Sequence, residues 1–218
     1  VPGQKADLER ALPGYLFLGV ARDDGASKGE FSSLAIDRNV FRVQSSGTFW
    51  HSLTPDVPSK GWDAAYPRIA TWAKLVRRSD GHRFLALNTH FDHVGERARL
   101  ESARQSVGWI SAHRAADETV ILTGDLNAEP GSPPLQALTS SQLALRDARM
   151  ATKTPPVGPE GTFNAFVLVP AETRRSDYVL GDPSVNVERH AVLAWHGEGG
   201  RPASDHFPVV ADLNACGK

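Results

Sequence analysis

The sequence predicts an α+β domain in which two sheets pack together with helices outside. Three observations carry this. Short apolar or alternating runs outnumber helical ones. Several of these runs abut in sequence with only a turn between them. A single stretch, Glu96 to Ala115, keeps helical spacing over several turns. The 218 residues hold no internal repeat, low-complexity tract or linker, so one domain spanning residues 1–218 is the simplest organisation.

Taken in order, Asp7 to Leu12 is a short helix stopped by Pro13-Gly14, and Tyr15 to Ala21 (YLFLGVA) is apolar enough for a buried strand. Arg22 to Gly29 is a polar loop. Phe31 to Arg38 and Val40 to Phe49 read as a strand pair broken near Asp37 to Asn39. Ser52 to Arg68 is a long loop rich in Pro, Gly and Trp, a length that often signals function. Ala70 to Val76 alternates as a strand, Arg77 to Gly81 is a hairpin turn, and Arg83 to Phe91 is the next strand. In the long helix, Leu100, Ala103, Val107, Ile110 and Arg114 fall at helical spacing, with Arg97, Arg99, Glu101 and Arg104 outside. Pro134 to Leu143 is a weak helix and Thr152 to Phe166 is irregular. Ser176 to Leu180, Val185 to Ala194 and Phe207 to Leu213 close the chain as short strands.

Composition bounds the function. Hydrophobic content of 40% and charged content of 22% describe a soluble globular chain, and no apolar run approaches a membrane span. The first residues show no signal-peptide pattern and no initiator Met. A single cysteine, Cys216, excludes an internal disulfide and a cysteine-based metal site. A formal net charge of −1 argues against tight sequence-independent binding to a long polyanion, but allows a small charged substrate. A monomer is expected.

The chain is organised around Thr119 to Pro134. The β-branched and apolar run Thr119 to Thr123 breaks at Gly124, and Asp125 and Asn127 follow before a loop of Glu, Pro, Gly and Ser. A carboxylate and a carboxamide are thus offered at the carboxyl end of a strand, on the same side by alternation. By itself this is equally an Asx turn. Other polar clusters also sit at strand ends: Glu30 before FSSLAI, His90-Phe-Asp92-His93 after FLALNT, and Ser204-Asp205-His206 before FPVVADL. Asp177 lies inside an apolar strand, where an unpaired carboxylate is costly. Each has a bland reading alone: a surface glutamate, structural histidines, a turn, an Asp177 paired with Arg174 or Arg175. The ordered set points to shared chemistry.

That set resembles the endonuclease/exonuclease/phosphatase superfamily, the deoxyribonuclease-I-like fold, from Leu12 to Leu213. The strongest pieces are GDLNAEPGSP (Gly124 to Pro133), ASDHFPVVADL (Ala203 to Leu213) and LNTHFDHVGERAR (Leu87 to Arg99), supported by RRSDYVL, GEFSSLAI and PRIATWAKL. The resemblance implies a four-layer α/β/β/α sandwich of two mainly antiparallel sheets, and a phosphoesterase that cleaves a phosphodiester or phosphomonoester with activated water. It implies Asp125 as the carboxylate that orients or deprotonates the water, and Asn127 as the residue that holds nucleophile and phosphoryl oxygen. It implies His206 on the phosphoryl oxygens with Asp177 orienting it, and His90 near the leaving group with Glu30 as partner. Asp205 and Asp125 are the implied metal-linked carboxylates, Arg68 reaches a phosphate oxygen and Asn164 lines the pocket. The expected substrate is a nucleic acid, nucleotide, inositol phosphate or phospholipid head group.

The chemistry is consistent with this. An anionic phosphate ester repels nucleophiles, so hydrolysis wants a divalent cation, a positioned water and donors aimed at the equatorial oxygens. Oxygen ligands without thiolate suit Mg²⁺ or Mn²⁺. Two His–carboxylate pairs favour charged imidazolium. One departure stands out. The superfamily places an Asn-bearing strand, a helix and a strand ending in the principal metal-binding Glu before the point where this sequence begins. The expectation is therefore an N-terminally truncated domain with weakened Mg²⁺ binding and poor activity.

Two further readings compete. A dinuclear zinc hydrolase would build on Thr89 to His93 with His206, His190 and Asp125, although Asn88 stands where such a motif needs histidine. A catalytically impaired or non-enzymatic module would keep the fold alone. A Ser-His-Asp hydrolase is disfavoured because no G-x-S-x-G elbow occurs.

Overall fold

The computed structural model describes residues 2–167, 169, 174–197 and 200–215; Cys216 lies outside them. The elements in chain order are α1 (Pro2–Ala11), β1 (Tyr15–Leu18), β2 (Leu34–Asp37), β3 (Phe41–Trp50), β4 (Ile69–Arg77), β5 (Arg83–His90), α2 (Glu96–His113), β6 (Glu118–Asp125), α3 (Pro133–Thr139), β7 (Arg146–Asp147), α4 (Ala148–Ala151), β8 (Asp177–Gly181), β9 (Val185–Val192) and β10 (Val209–Ala215). No helix among them is long and apolar enough to cross a membrane.

A six-stranded sheet ordered β3-β4-β5-β6-β8-β7 forms the middle of the molecule. All its pairs are antiparallel except β5–β6. Alternation decides what each face does. Leu85, Leu87, Val120, Leu122, Tyr178 and Leu180 point to one face and form the largest core with Ala103 and Ile110 of α2 and Leu135 and Leu138 of α3. Phe84, Ala86, Ile121 and Val179 point to the other. There two antiparallel ladders, β1–β2 and β9–β10, cover them with Ile36 and Leu34 on one side and Val185, Val187 and Leu213 on the other. The second β layer therefore consists of two separate ladders among the described residues, and α1 buries none of its own residues. The architecture is the deoxyribonuclease-I-like α+β sandwich that the sequence implies.

Two expectations need correction. The runs around Phe31 to Arg38 and Val40 to Phe49 are not partners: β2 pairs with β1, and β3 pairs with β4. The chain changes layers at the turn between them. The Asp37 carboxylate accepts the Asn39 N–H at 2.8 Å, and the tight turn carries the chain from the ladder layer into the central sheet instead of folding it back as a hairpin. The inner face of α2 is also smaller than its apolar spacing suggests. Ala98, Ser102, Ala103, Ser106 and Ile110 are buried, while Leu100 and Val107 sit at the edge. Serine fits there because the Ser106 hydroxyl donates to the Ser102 carbonyl at 2.8 Å, which removes its unmet polarity. The sequence pattern also gave no sign of β7 and α4, which are too short to show a period.

Candidate active site

Register builds the site. His90, at the carboxyl end of β5, is the cross-strand neighbour of Asp125 at the carboxyl end of β6, and Asp125 is the neighbour of Asp177 at the start of β8. Three functional groups thus stand in one row across three strands, all on the face turned towards the ladders. His206, just before β10, closes over them. Its Nδ1 lies 2.7 Å from Asp177 Oδ2 and its Nε2 lies 3.8 Å from Asp125 Oδ2. On the other side of Asp125, His90 Nε2 is 3.3 Å away, and His90 Nδ1 is 3.7 Å from Glu30. A cleft of ≈ 480 Å³ starts at these residues. It runs over Asn88, Thr123 and Val179, between Phe31-Ser32 of one ladder and Phe207 to Val209 of the other.

The backbone around Asp125 is strained in a way that fixes it. Gly124 has φ +146°, and a Cβ there would lie 1.8 Å from the Thr89 carbonyl oxygen of the adjacent strand, so only glycine allows β5 and β6 to meet at the site. Asn127 follows with φ 46°, a left-handed conformation that asparagine tolerates. Its N–H donates to Asp125 Oδ1 at 2.9 Å and its Nδ2 to the Phe91 carbonyl at 3.0 Å, which leaves its own Oδ1 available. The turn is therefore both an Asx cap and a pair of polar groups aimed at one place.

Electrostatics follow from this packing. Burial pushes the Asp125 carboxyl up, but the His90 hydrogen bond and charge, the Asn127 N–H and the His206 charge outweigh it and leave it below the usual carboxylate range. Burial pulls His206 down, yet the Asp177 hydrogen bond and the charges of Asp177, Asp125 and Asp205 win, so its imidazole stays charged further up the pH scale. Asp125, Asp177 and His206 offer ligand atoms within 4.8 Å of one another and could hold a metal ion. Carboxylate and imidazole suit a divalent cation, but the donors are partly spoken for. Asp177 Oδ2 is engaged by His206 and accepts from the Ser176 hydroxyl at 3.1 Å, while Glu30 is paired with Arg22.

The remaining expected residues take different places. The Arg68 side chain is buried, with Nε 3.1 Å from Asp92 Oδ2, Nη2 donating to His93 Nδ1 at 2.8 Å and Nη1 3.9 Å from Glu30. Asp205 is outside the Asp125–Asp177–His206 group. Its hydroxyl contact is with Ser204, and its backbone carbonyl accepts from Asn164 N–H at 2.7 Å. Asn164 is fully buried and braces the loop that carries Asp205 and His206. Neither Arg174 nor Arg175 pairs with Asp177 as the bland reading had it. Arg175 pairs with Asp147 at 2.6 Å, and Arg174 lies over the Phe163 ring. His190, needed by the zinc reading, is buried in β9 with both ring nitrogens unbonded among the described residues, and is not part of the metal-competent group. Three contributors escaped the sequence reading: Arg22, which holds Glu30; Ser176; and Phe163, which meets the His206 ring edge-on at 5.2 Å. Ser176 lies within the RRSDYVL stretch but is not singled out there, and Arg22 and Phe163 carry no motif signal.

Residues 22–206, which contain this whole constellation, match the sequence pattern of the Endonuclease/Exonuclease/phosphatase family. The chain belongs to that family. Among solved structures it is similar to a mannosyl-6-phosphatase from Bacteroides thetaiotaomicron (38% identity, 97% of this chain and 81% of that one, TM-score 0.88). It is also similar to an endonuclease/exonuclease/phosphatase from Bacteroides vulgatus (35% identity, 99% and 82%, TM-score 0.92). An uncharacterised protein of Acanthamoeba polyphaga mimivirus is 29% identical over 125 residues, 54% of this chain, and the match spans less than half (45%) of that curated relative. Members of this family are phosphoesterases.

Another cavity of ≈ 420 Å³ lies at the opposite end of the strands, by Arg83, Arg114 and Glu118. Its charges are mutually satisfied: Glu118 is bonded to Lys74 and Arg83, and Arg114 to Asp182. It is a structural clasp.

Proposed function

We propose that this family member hydrolyses a phosphomonoester of a polar alcohol, using water as nucleophile and Mg²⁺ or Mn²⁺ at Asp125. The observation that carries the reading is the row His90–Asp125–Asp177 closed by His206: one ionised carboxylate between two imidazoles, with a second carboxylate behind one of them. The similarity to a mannosyl-6-phosphatase supports a monoester over a nucleic acid, as does the near-neutral charge of the chain.

A divalent cation at Asp125 would supply Lewis-acid polarisation of a phosphoryl oxygen. Asp125 and the Asn127 carboxamide oxygen are the hard donors left for it, so most of its shell would be water, in keeping with Mg²⁺. The chain's own groups do the rest. Asp125 accepts a hydrogen bond from the attacking water and takes its proton. Asn127 fixes the water and one phosphoryl oxygen. His206, held at Nδ1 by Asp177, presents Nε2–H as a charged donor to the equatorial oxygens, where negative charge must be stabilised in the transition state. His90, between Glu30 and Asp125, donates to the leaving oxygen. Arg68 acts through Glu30 because its guanidinium is buried.

The test is turnover of p-nitrophenyl phosphate and bis-p-nitrophenyl phosphate with chelator, Mg²⁺ or Mn²⁺. Monoester turnover should vanish with chelator and return with the ion. Asp125→Ala and His206→Ala should each lose about 100-fold or more in kcat with unchanged circular dichroism. Wild-type rates in either variant would overturn the assignment. Calorimetry should give weak Mg²⁺ binding, because Asp177 and Glu30 are already committed; tight stoichiometric binding would contradict the ligand set.

A further inference from the structure

We propose that the groove beside Asn127, between the first turns of α2 and the loop after β6, receives the alcohol half of the substrate, and that this alcohol is a neutral polyhydroxylated one, a sugar. The inference rests on reading the site as a phosphomonoesterase and says what it releases.

The groove has a volume of ≈ 580 Å³, enough for one or two sugar rings. Two of its lining residues lead to the catalytic groups. Asn127 donates its N–H to Asp125 at 2.9 Å. The Arg174 guanidinium lies 5.2 Å from the centre of the Phe163 ring, which in turn meets the His206 ring at 5.2 Å. An ester whose phosphorus sits between Asp125 and His206 therefore has the groove open beside it for its carbon-bearing arm.

The lining selects the chemistry of that arm. Arg97 and Glu129 are exposed, and their charged groups have no hydrogen-bond or ion-pair partner among the described residues. Arg97 and Arg174 offer donors; Glu96 and Glu129 offer acceptors. The remaining cation, Arg99, already donates to the Asp92 carbonyl at 2.9 Å. That carbonyl is neutral and Arg99 keeps its charge, so three arginines face two glutamates and the lining carries a single positive excess among interleaved donors and acceptors. Donors interleaved with acceptors match hydroxyls, each of which is both. Leu100 and Pro133 add an apolar patch suited to the C–H face of a sugar ring.

The experiment compares mannose 6-phosphate with p-nitrophenyl phosphate for the wild type, Arg97→Ala and Glu129→Gln. Both side chains are exposed, so folding should hold. Each variant should lower kcat/KM for mannose 6-phosphate about ten-fold, chiefly through KM, and leave p-nitrophenyl phosphate within about two-fold, since one charged hydrogen bond to the sugar is lost. Equal losses on both substrates, or no loss on mannose 6-phosphate, would overturn the groove assignment. A wild type that cleaves p-nitrophenyl phosphate but not mannose 6-phosphate would overturn the sugar while leaving the phosphatase reading standing. A wild type that cleaves neither would remove that reading, and the inference with it.

Discussion

His206 Nδ1 lies 2.7 Å from Asp177 Oδ2, and the same carboxylate oxygen accepts from the Ser176 hydroxyl at 3.1 Å. A histidine on the loop before β10 is thereby pinned to the first residue of β8, 29 positions earlier. The bond fixes the ring plane and keeps a proton on Nδ1, so Nε2 is the atom presented towards Asp125, and it carries its own proton in the charged imidazolium that the neighbouring carboxylates favour. Asp177→Asn removes the negative charge and can donate its own N–H to Nδ1, which reverses the tautomer. The variant should fold normally and lose about 100-fold or more in kcat, with little change in KM. Kinetics on p-nitrophenyl phosphate, paired with a thermal melt, would check this. Unchanged kcat would mean that His206 does not need Asp177.

Gly124→Ala should be among the most damaging single-methyl changes in the protein. The new Cβ would meet the Thr89 carbonyl oxygen at 1.8 Å, and that atom is backbone on the neighbouring strand and cannot rotate away. Strain at φ +146° adds to the clash. Strand separation at this pair should cost about 2–4 kcal/mol and shift Asp125 away from His90. Urea denaturation measures the first effect, and a variant as stable as the wild type would refute the close approach.

Acid should destabilise the fold through His51. This ring is buried between Phe49 and Phe91, with Nε2 2.8 Å from the Thr89 hydroxyl and Nδ1 3.1 Å from Gln105 Oε1. Burial pulls it from 6.5 to about 4, partly offset by the Gln105 bond and reinforced by the Arg68 charge. The folded state therefore resists a proton that the unfolded chain accepts. Stability is fully present above 6.5 and falls as pH drops from 6.5 towards about 4, by roughly 3 kcal/mol in all. The His51→Gln variant should lose that slope in urea titrations run across the window. The buried Asp92, whose carboxyl is held low by backbone N–H groups and Arg68 against burial, acts only at lower pH, below 3.8.

Much of the site was legible because strands impose a period of two. Phe84, Ala86, Asn88 and His90 must share one face of β5, and the break after Thr123 must end β6, so the sequence itself puts His90 and Asp125 at strand ends. What it leaves open is which strands are neighbours. The Asp37–Asn39 turn looks like a hairpin and is a passage between layers, because nothing local says that β1 and β4 are the better partners. The resemblance implies that Arg68 reaches a phosphate oxygen; nothing in the sequence signals that its side chain is buried 3.9 Å from Glu30, since burial depends on how the loop from Ser52 to Arg68 folds over α2.

The sequence alone determined the chemical inventory and its order: carboxylates, carboxamide and imidazoles at strand ends, and no thiolate set. It could do so because residue type and strand period are local properties. The resemblance already implied that Asp177 orients His206; tertiary structure decided the strand pairing, that Arg22 holds Glu30 and that Asp205 lies outside the Asp125–Asp177–His206 group. Those choices depend on cross-strand register and on loops joining residues tens of positions apart, which are settled only when the sheet and its two ladders close on one another.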